Sequence, residues 1–129
     1  MINPDHFVKS LKSLGVRFVT GVPDSLLKEV CASFCASFSA TEHITAANEG
    51  CAIGLAIGHY LATARIPLVY AQNSGLGNMI NPLLSLVDQK VYGIPMLLLI
   101  GWRGELLADE MFAQKPQMPT QIQDEPQHV

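Results

Sequence analysis

Three times within its first hundred residues the chain passes from a short apolar run, through a turn of glycine and polar side chains, into a stretch of helical spacing. The apolar runs are Val16-Arg17-Phe18-Val19-Thr20, residues 43–46 and residues 68–72, with a fourth and fully apolar run at residues 95–100. Strands that are apolar on both faces and alternate with helices belong to a parallel sheet covered on both sides. The pattern predicts an α/β fold, a doubly wound and mostly parallel sheet with helices on both faces, layered as in flavodoxin.

The local signals agree. Asn3-Pro4 caps and starts a helix whose apolar positions Phe7, Val8, Leu11 and Leu14 recur until Gly15 ends it. Gly21-Val22-Pro23 is a turn, and Asp24 or Ser25 caps a second helix with an apolar stripe of Leu26, Leu27, Val30, Cys31, Phe34, Cys35 and Phe38. Asn48 caps a third helix, which runs to about Thr63 and contains Gly50, Gly54 and Gly58. Glycine inside a helix costs about 1 kcal/mol relative to alanine, so close packing against another backbone is the expected compensation. The polar loop of residues 73–78 leads into a fourth helix ending near Val87.

The sequence has 129 residues, which suits one domain. Residues 1–104 carry the periodic pattern, whereas residues 105–129 are rich in Gln, Pro, Met and acidic groups and read as an irregular tail or lid. Only 15% of residues are charged while 49% are hydrophobic, so part of the surface is expected to be covered by a partner. A net charge of −3 and scattered basic residues exclude a nucleic-acid stripe. The apolar run ending at Gly101 is far short of the roughly 20 residues that span a bilayer, so no membrane segment is expected. Cys31, Cys35 and Cys51 are odd in number and form no Cys-x-x-Cys, and the N-terminus lacks the apolar core of a signal peptide. A cytoplasmic protein with core thiols and no metal site follows.

In open α/β sheets ligands gather at the carboxyl ends of the strands, which places residues 21–25, 47–50, 73–78 and 101–104 on one rim. These loops hold Asp24, Ser25, Asn48, Glu49, Asn73, Ser74 and Arg103, whereas the helix interiors are mostly apolar. Gly75-Leu76-Gly77 lacks the third glycine of a dinucleotide fingerprint, and no phosphate-loop motif exists, which argues against a free-standing nucleotide binder. Glu49 opens a helix, where a carboxylate complements the dipole by up to about 1 kcal/mol. Its small-residue surroundings also leave space for a flat ring whose nitrogen could bond that carboxylate. His6, His43 and His59 read as surface or packing residues, and His128 ends a polar run.

Five stretches, Gly21-Val22-Pro23-Asp24-Ser25, Ala46-Ala47-Asn48-Glu49-Gly50, Gln72-Asn73-Ser74-Gly75-Leu76-Gly77-Asn78, Gly101-Trp102-Arg103-Gly104 and Asp124-Glu125-Pro126-Gln127-His128, stand in the order found in the phosphonopyruvate and sulfopyruvate decarboxylases. The chain resembles the N-terminal, pyrimidine-binding domain of these thiamine-diphosphate-dependent enzymes. The resemblance implies that Glu49 bonds the aminopyrimidine ring and activates the cofactor, which then accepts the electrons of the departing carbon dioxide. It implies that Asp24 and His128 handle protons over the reacting carbon. Asn73, Ser74 and Gly75 become cofactor contacts, and Ser25 and Arg103 become substrate contacts, since a guanidinium matches the oxygens of a phosphonate.

The family's Gly-Asp-Gly motif and paired metal-binding asparagines are absent, so Mg2+ and the diphosphate are expected on another domain. The segment from Glu105 to Gln123 is also longer than the connection the family places between its last two motifs. The implied function is the pyrimidine-binding component of a 2-oxoacid decarboxylase acting on phosphonopyruvate, inactive alone and completed in a homo- or hetero-oligomer. The alternatives are a sulfopyruvate decarboxylase alpha-type subunit and an inactive, truncated binding or oligomerisation domain of the same fold.

Overall fold

The computed structural model describes residues 2–103. Helix α1 (Pro4–Ser13) starts where Asn3 accepts the His6 backbone N–H on its side chain, with Pro4 in the first turn. Strand β1 (Val19–Gly21) is shorter than the apolar run that announces it, because Val16 and Phe18 are already buried before pairing begins. Asp24 caps a single 3-10 turn, Ser25–Leu27, and helix α2 (Lys28–Ser37) continues from it. Strand β2 (His43–Thr45) and helix α3 (Glu49–Thr63) follow, the helix capped by Asn48, whose side chain accepts the Cys51 N–H.

Strand β3 (Leu68–Gln72) passes directly into a 3-10 turn, Asn73–Gly75, and then α4 (Leu76–Pro82). Residues 73–78 are therefore helical, not a loop as expected. The Leu76 N–H bonds the Asn73 carbonyl, and Leu76 packs on the core, so helical geometry begins at the strand end. The expected single helix to Val87 also divides. Pro82 cannot donate to the Asn78 carbonyl one turn back, and the chain widens into a π turn over Leu83–Val87. Strand β4 (Leu97–Gly101) closes the described residues.

All pairings are parallel and the order is β2-β1-β3-β4. Strand β3 shows why both faces must be covered. Its Leu68 and Tyr70 enter a core with Val8, Leu11, Phe34 and Phe38 from α1 and α2. Its Val69 and Ala71 enter a second core with Ala52, Ile53, Ala56 and Met79 from α3 and α4. The predicted doubly wound layering holds, and at the β4 edge Leu97 and Leu98 are 41% and 42% exposed. Leu84, Val91 and Tyr92 are exposed as well. Beyond β4 no further strand is hydrogen-bonded among the described residues, so its apolar side chains reach past the cover.

Two other expectations are corrected. Cys35 is exposed and Cys31 only half-buried against the core, so neither is a fully buried thiol; of the expected stripe Leu27, Phe34 and Phe38 are buried, Phe34 alone within α2. Burial, and secondarily the adjacent Cys35, pushes the Cys31 thiol up. Of the glycines in α3, only Gly50 meets a backbone, its added Cβ lying 3.1 Å from the Asn78 carbonyl, while Gly54 and Gly58 face open space. Both line an open groove of about 750 Å³ with Phe18, Ile44 and Leu55, a groove that includes neither rim carboxylate.

Candidate active site

The carboxyl ends of the strands bring two acidic groups to one rim, each set by its own small network. Asp24 follows β1. Its Oδ2 accepts the Leu26 N–H at 3.2 Å, as the cap of the 3-10 turn requires. Its Oδ1 accepts Gln72 Nε2 at 2.5 Å and lies 3.7 Å from the Arg103 guanidinium. The side chain is 2% exposed, so these partners carry its charge in place of water. Gly101 makes the position possible, because a Cβ there would stand 2.4 Å from Asp24 Oδ2.

Arg103 is held at both ends. Its guanidinium donates to Ser25 Oγ. Its backbone is clamped by Asn73, which donates through Nδ2 to the Arg103 carbonyl at 3.1 Å and accepts the Arg103 N–H at 3.4 Å. That clamp prolongs the β3–β4 pairing by a side chain after the strands end. Ser74 donates through its hydroxyl to Gln72 Oε1.

Glu49 opens α3 on the same rim with a simpler setting. Asn78 Nδ2 donates to Glu49 Oε2 at 2.8 Å. Gly75 sits directly against the carboxylate, where an added Cβ would be 2.2 Å from Oε1. One oxygen is therefore anchored, and the other lies beside a residue with no side chain. The carboxylate itself fills the place a Cβ at residue 75 would take, so Gly75 sets where Glu49 could meet an aminopyrimidine.

The rim thus unites Asp24, Ser25, Asn73, Ser74 and Arg103 in one network and Glu49, Gly75 and Asn78 in a second. His128 lies outside the described residues. Gln72 and Asn78 were quoted in the motifs but given no role by the sequence reading. Neither has a local signal, because each becomes significant only through a partner 48 or 29 positions away. Outside the two rim networks, His43 bonds the buried Tyr70 hydroxyl at 3.0 Å and His59 stacks on Phe18 at 4.7 Å, both packing roles as expected. Burial lowers the pKa of each histidine and raises that of Tyr70.

A parallel α/β sheet presenting a helix-opening carboxylate and an acid–guanidinium network at its carboxyl rim defines a ligand-binding domain of the doubly wound class. Residues 4–125 match the model of the thiamine pyrophosphate enzyme, N-terminal TPP binding domain, and the chain belongs to that family. It is 42% identical over 108 residues to the sulfopyruvate decarboxylase subunit alpha of Methanococcus maripaludis, covering 84% of this chain and 62% of that one. It is 39% identical over 104 residues to the phosphonopyruvate decarboxylase of Streptomyces viridochromogenes, covering 81% of this chain and 25% of the relative. The chain therefore spans only part of each relative's length. Among solved structures, benzoylformate decarboxylase from Polynucleobacter necessarius superposes with a TM-score of 0.66 at 22% identity, over 98% of this chain and 23% of that one, a likeness of fold. Among the described residues no helix is long and apolar enough to cross a membrane.

Proposed function

We propose that this chain supplies the pyrimidine-binding half of a thiamine-diphosphate-dependent decarboxylase for a three-carbon 2-oxoacid bearing a tetrahedral anion. Phosphonopyruvate, converted to phosphonoacetaldehyde and carbon dioxide, is the leading substrate. The observation that carries the reading is Glu49, which opens α3 on the carboxyl rim with one oxygen anchored by Asn78 and its carboxylate seated against Gly75.

Glu49 would hold a proton against a ring nitrogen of the aminopyrimidine, a positioned carboxylate acting as acid and base. Ser74, Gly75 and Asn73 would border the same ring. When bound, the cofactor supplies an electron sink for the bond that breaks as carbon dioxide leaves. Arg103 and Ser25 would receive the anionic head of the substrate, the guanidinium matching two of its oxygens. Asp24, oriented by its donors, would take or return the proton at the reacting carbon, with His128 as a second proton carrier. The diphosphate and Mg2+ belong on a partner domain from another chain or another copy, and a cytoplasmic setting fits the unpaired cysteines.

A second reading has its own support: the chain is 42% identical to a sulfopyruvate decarboxylase alpha subunit and 39% identical to a phosphonopyruvate decarboxylase. On that reading the protein is an alpha-type subunit that works with another subunit on sulfopyruvate. The test is aldehyde release from each oxoacid, with thiamine diphosphate and Mg2+, by the protein alone and with the partner that copurifies from its native cells. Release only with the partner, abolished by Glu49→Gln, supports the half-site reading, and the faster substrate selects between the two acids. No release from either acid in either preparation favours an inactive binding or oligomerisation domain.

A further inference from the structure

Gln72 is unused by the reading above, yet it stands at the centre of the Asp24 network. It ends β3, and its amide reaches across to the loop after β1. The NH2 end of the amide faces Asp24, donating through Nε2 to Oδ1. The carbonyl end then faces Ser74, whose hydroxyl donates to it, and the donors run in one direction from Ser74 through Gln72 to Asp24. No other orientation of the amide satisfies both neighbours.

The oxygen chosen by Gln72 is informative. Asp24 Oδ1 is also the atom nearest the Arg103 guanidinium, at 3.7 Å, which is beyond hydrogen-bond length. Gln72 occupies that oxygen at 2.5 Å, and the Leu26 N–H occupies the other. Gly101 leaves the carboxylate just enough space to lie there. The guanidinium hydrogen-bonds Ser25 rather than Asp24.

We propose that Gln72 is the positioning residue of this rim, holding Asp24 Oδ1 so that the carboxylate stays oriented and Arg103 stays available to an anionic substrate. The inference rests on the proton-handling role given to Asp24 above. Ser74 acts through Gln72 by setting which end of the amide faces the acid.

The test uses the full-length protein with its partner, cofactor and Mg2+, and compares Gln72→Glu, Gln72→Met and Asp24→Asn. Gln72→Glu keeps the shape but sets a second carboxylate against Asp24, so the pair retains a proton to higher pH. The acid limb of kcat/KM is expected to move upward, with about a tenfold loss at the foot of the unmodified protein's plateau for each unit of displacement, recovered at higher pH. Gln72→Met removes a donor to the carboxylate without adding a charge, so kcat falls, KM for the anionic oxoacid rises, and the limb moves upward by less than in Gln72→Glu.

A merely structural role would lower activity equally at all pH, and an unshifted limb in a folded Gln72→Glu protein overturns the assignment. Titration of the Asp24 carboxyl by carbon NMR, without substrate, provides a readout independent of turnover. If Asp24→Asn is fully active, the proton-handling reading fails, and the Asp24 titration still decides for or against the Gln72 contact according to whether Gln72→Glu raises it. Should Gln72→Glu not fold, Gln72→Met must show the kcat and KM changes together, and unchanged values for both overturn the proposal.

Discussion

Asp24 and Glu49 stand on the same rim of the same sheet and are built in opposite ways. Asp24 is 2% exposed, with two hydrogen-bond donors and a guanidinium around it, whereas Glu49 is half-buried with a single side-chain donor, Asn78. A crowded carboxylate is held in one orientation by its neighbours. One held by a single oxygen can still turn its other oxygen to an incoming ring. The glycine against each makes the same point: behind Gly101 lie Asp24 and the Leu27 side chain, but Gly75 meets only the far end of Glu49.

The contrast can be broken most strongly at Glu49. Glu49→Gln in the assembled, cofactor-loaded protein is expected to lower aldehyde release by about 10² to 10⁴ while the unfolding midpoint hardly moves. An equal fall in stability would mean that Glu49 holds the fold rather than the cofactor. Asn78→Ala, which frees the anchored oxygen, should lower activity by about tenfold, the effect of losing roughly one charge-assisted hydrogen bond.

The two glycines sharpen the comparison from the side of stability. Gly101→Ala should destabilise by about 1–3 kcal/mol in denaturant unfolding, because Asp24 and Leu27 cannot both retreat. Gly75→Ala should cost less than about 1 kcal/mol, since a flexible side chain can move aside, yet it should reduce activity. Reversal of that order would remove the distinction between the two sites.

The smallest effect is expected away from the rim, at His43, and serves as a control. Burial depresses its folded pKa below the ordinary 6.5, so the folded state binds fewer protons than the unfolded chain as the pH falls below that value. Stability should therefore be flat above about pH 6.5 and decline as the pH drops to the depressed folded value, beyond which this group adds nothing more. His43→Gln should flatten that decline in thermal unfolding without changing how activity depends on Glu49.

Much of this protein was legible in its residues. The Asn3-Pro4 and Asn48 caps, the full extent of β3 and the alternation of strands with helices are local events, decided by capping atoms and by which side chains avoid water. So was the rim itself, because in a parallel sheet the carboxyl ends of all strands share one edge. The positions of Asp24, Glu49 and Arg103 on it followed from the order of elements alone.

Only the tertiary structure decided how those groups are shared out. That Gln72 takes Asp24 while Asn78 takes Glu49, that Asn73 is committed to the Arg103 backbone, and that residues 73–78 are helical all depend on contacts between distant segments. The same holds for Gly54 and Gly58, which line open space, and for the apolar β4 edge, which stays uncovered among the described residues. Periodicity records which face of an element avoids water. It carries no information about which of several equivalent amides reaches a given carboxylate, because that depends on distances set only when the strands align in register.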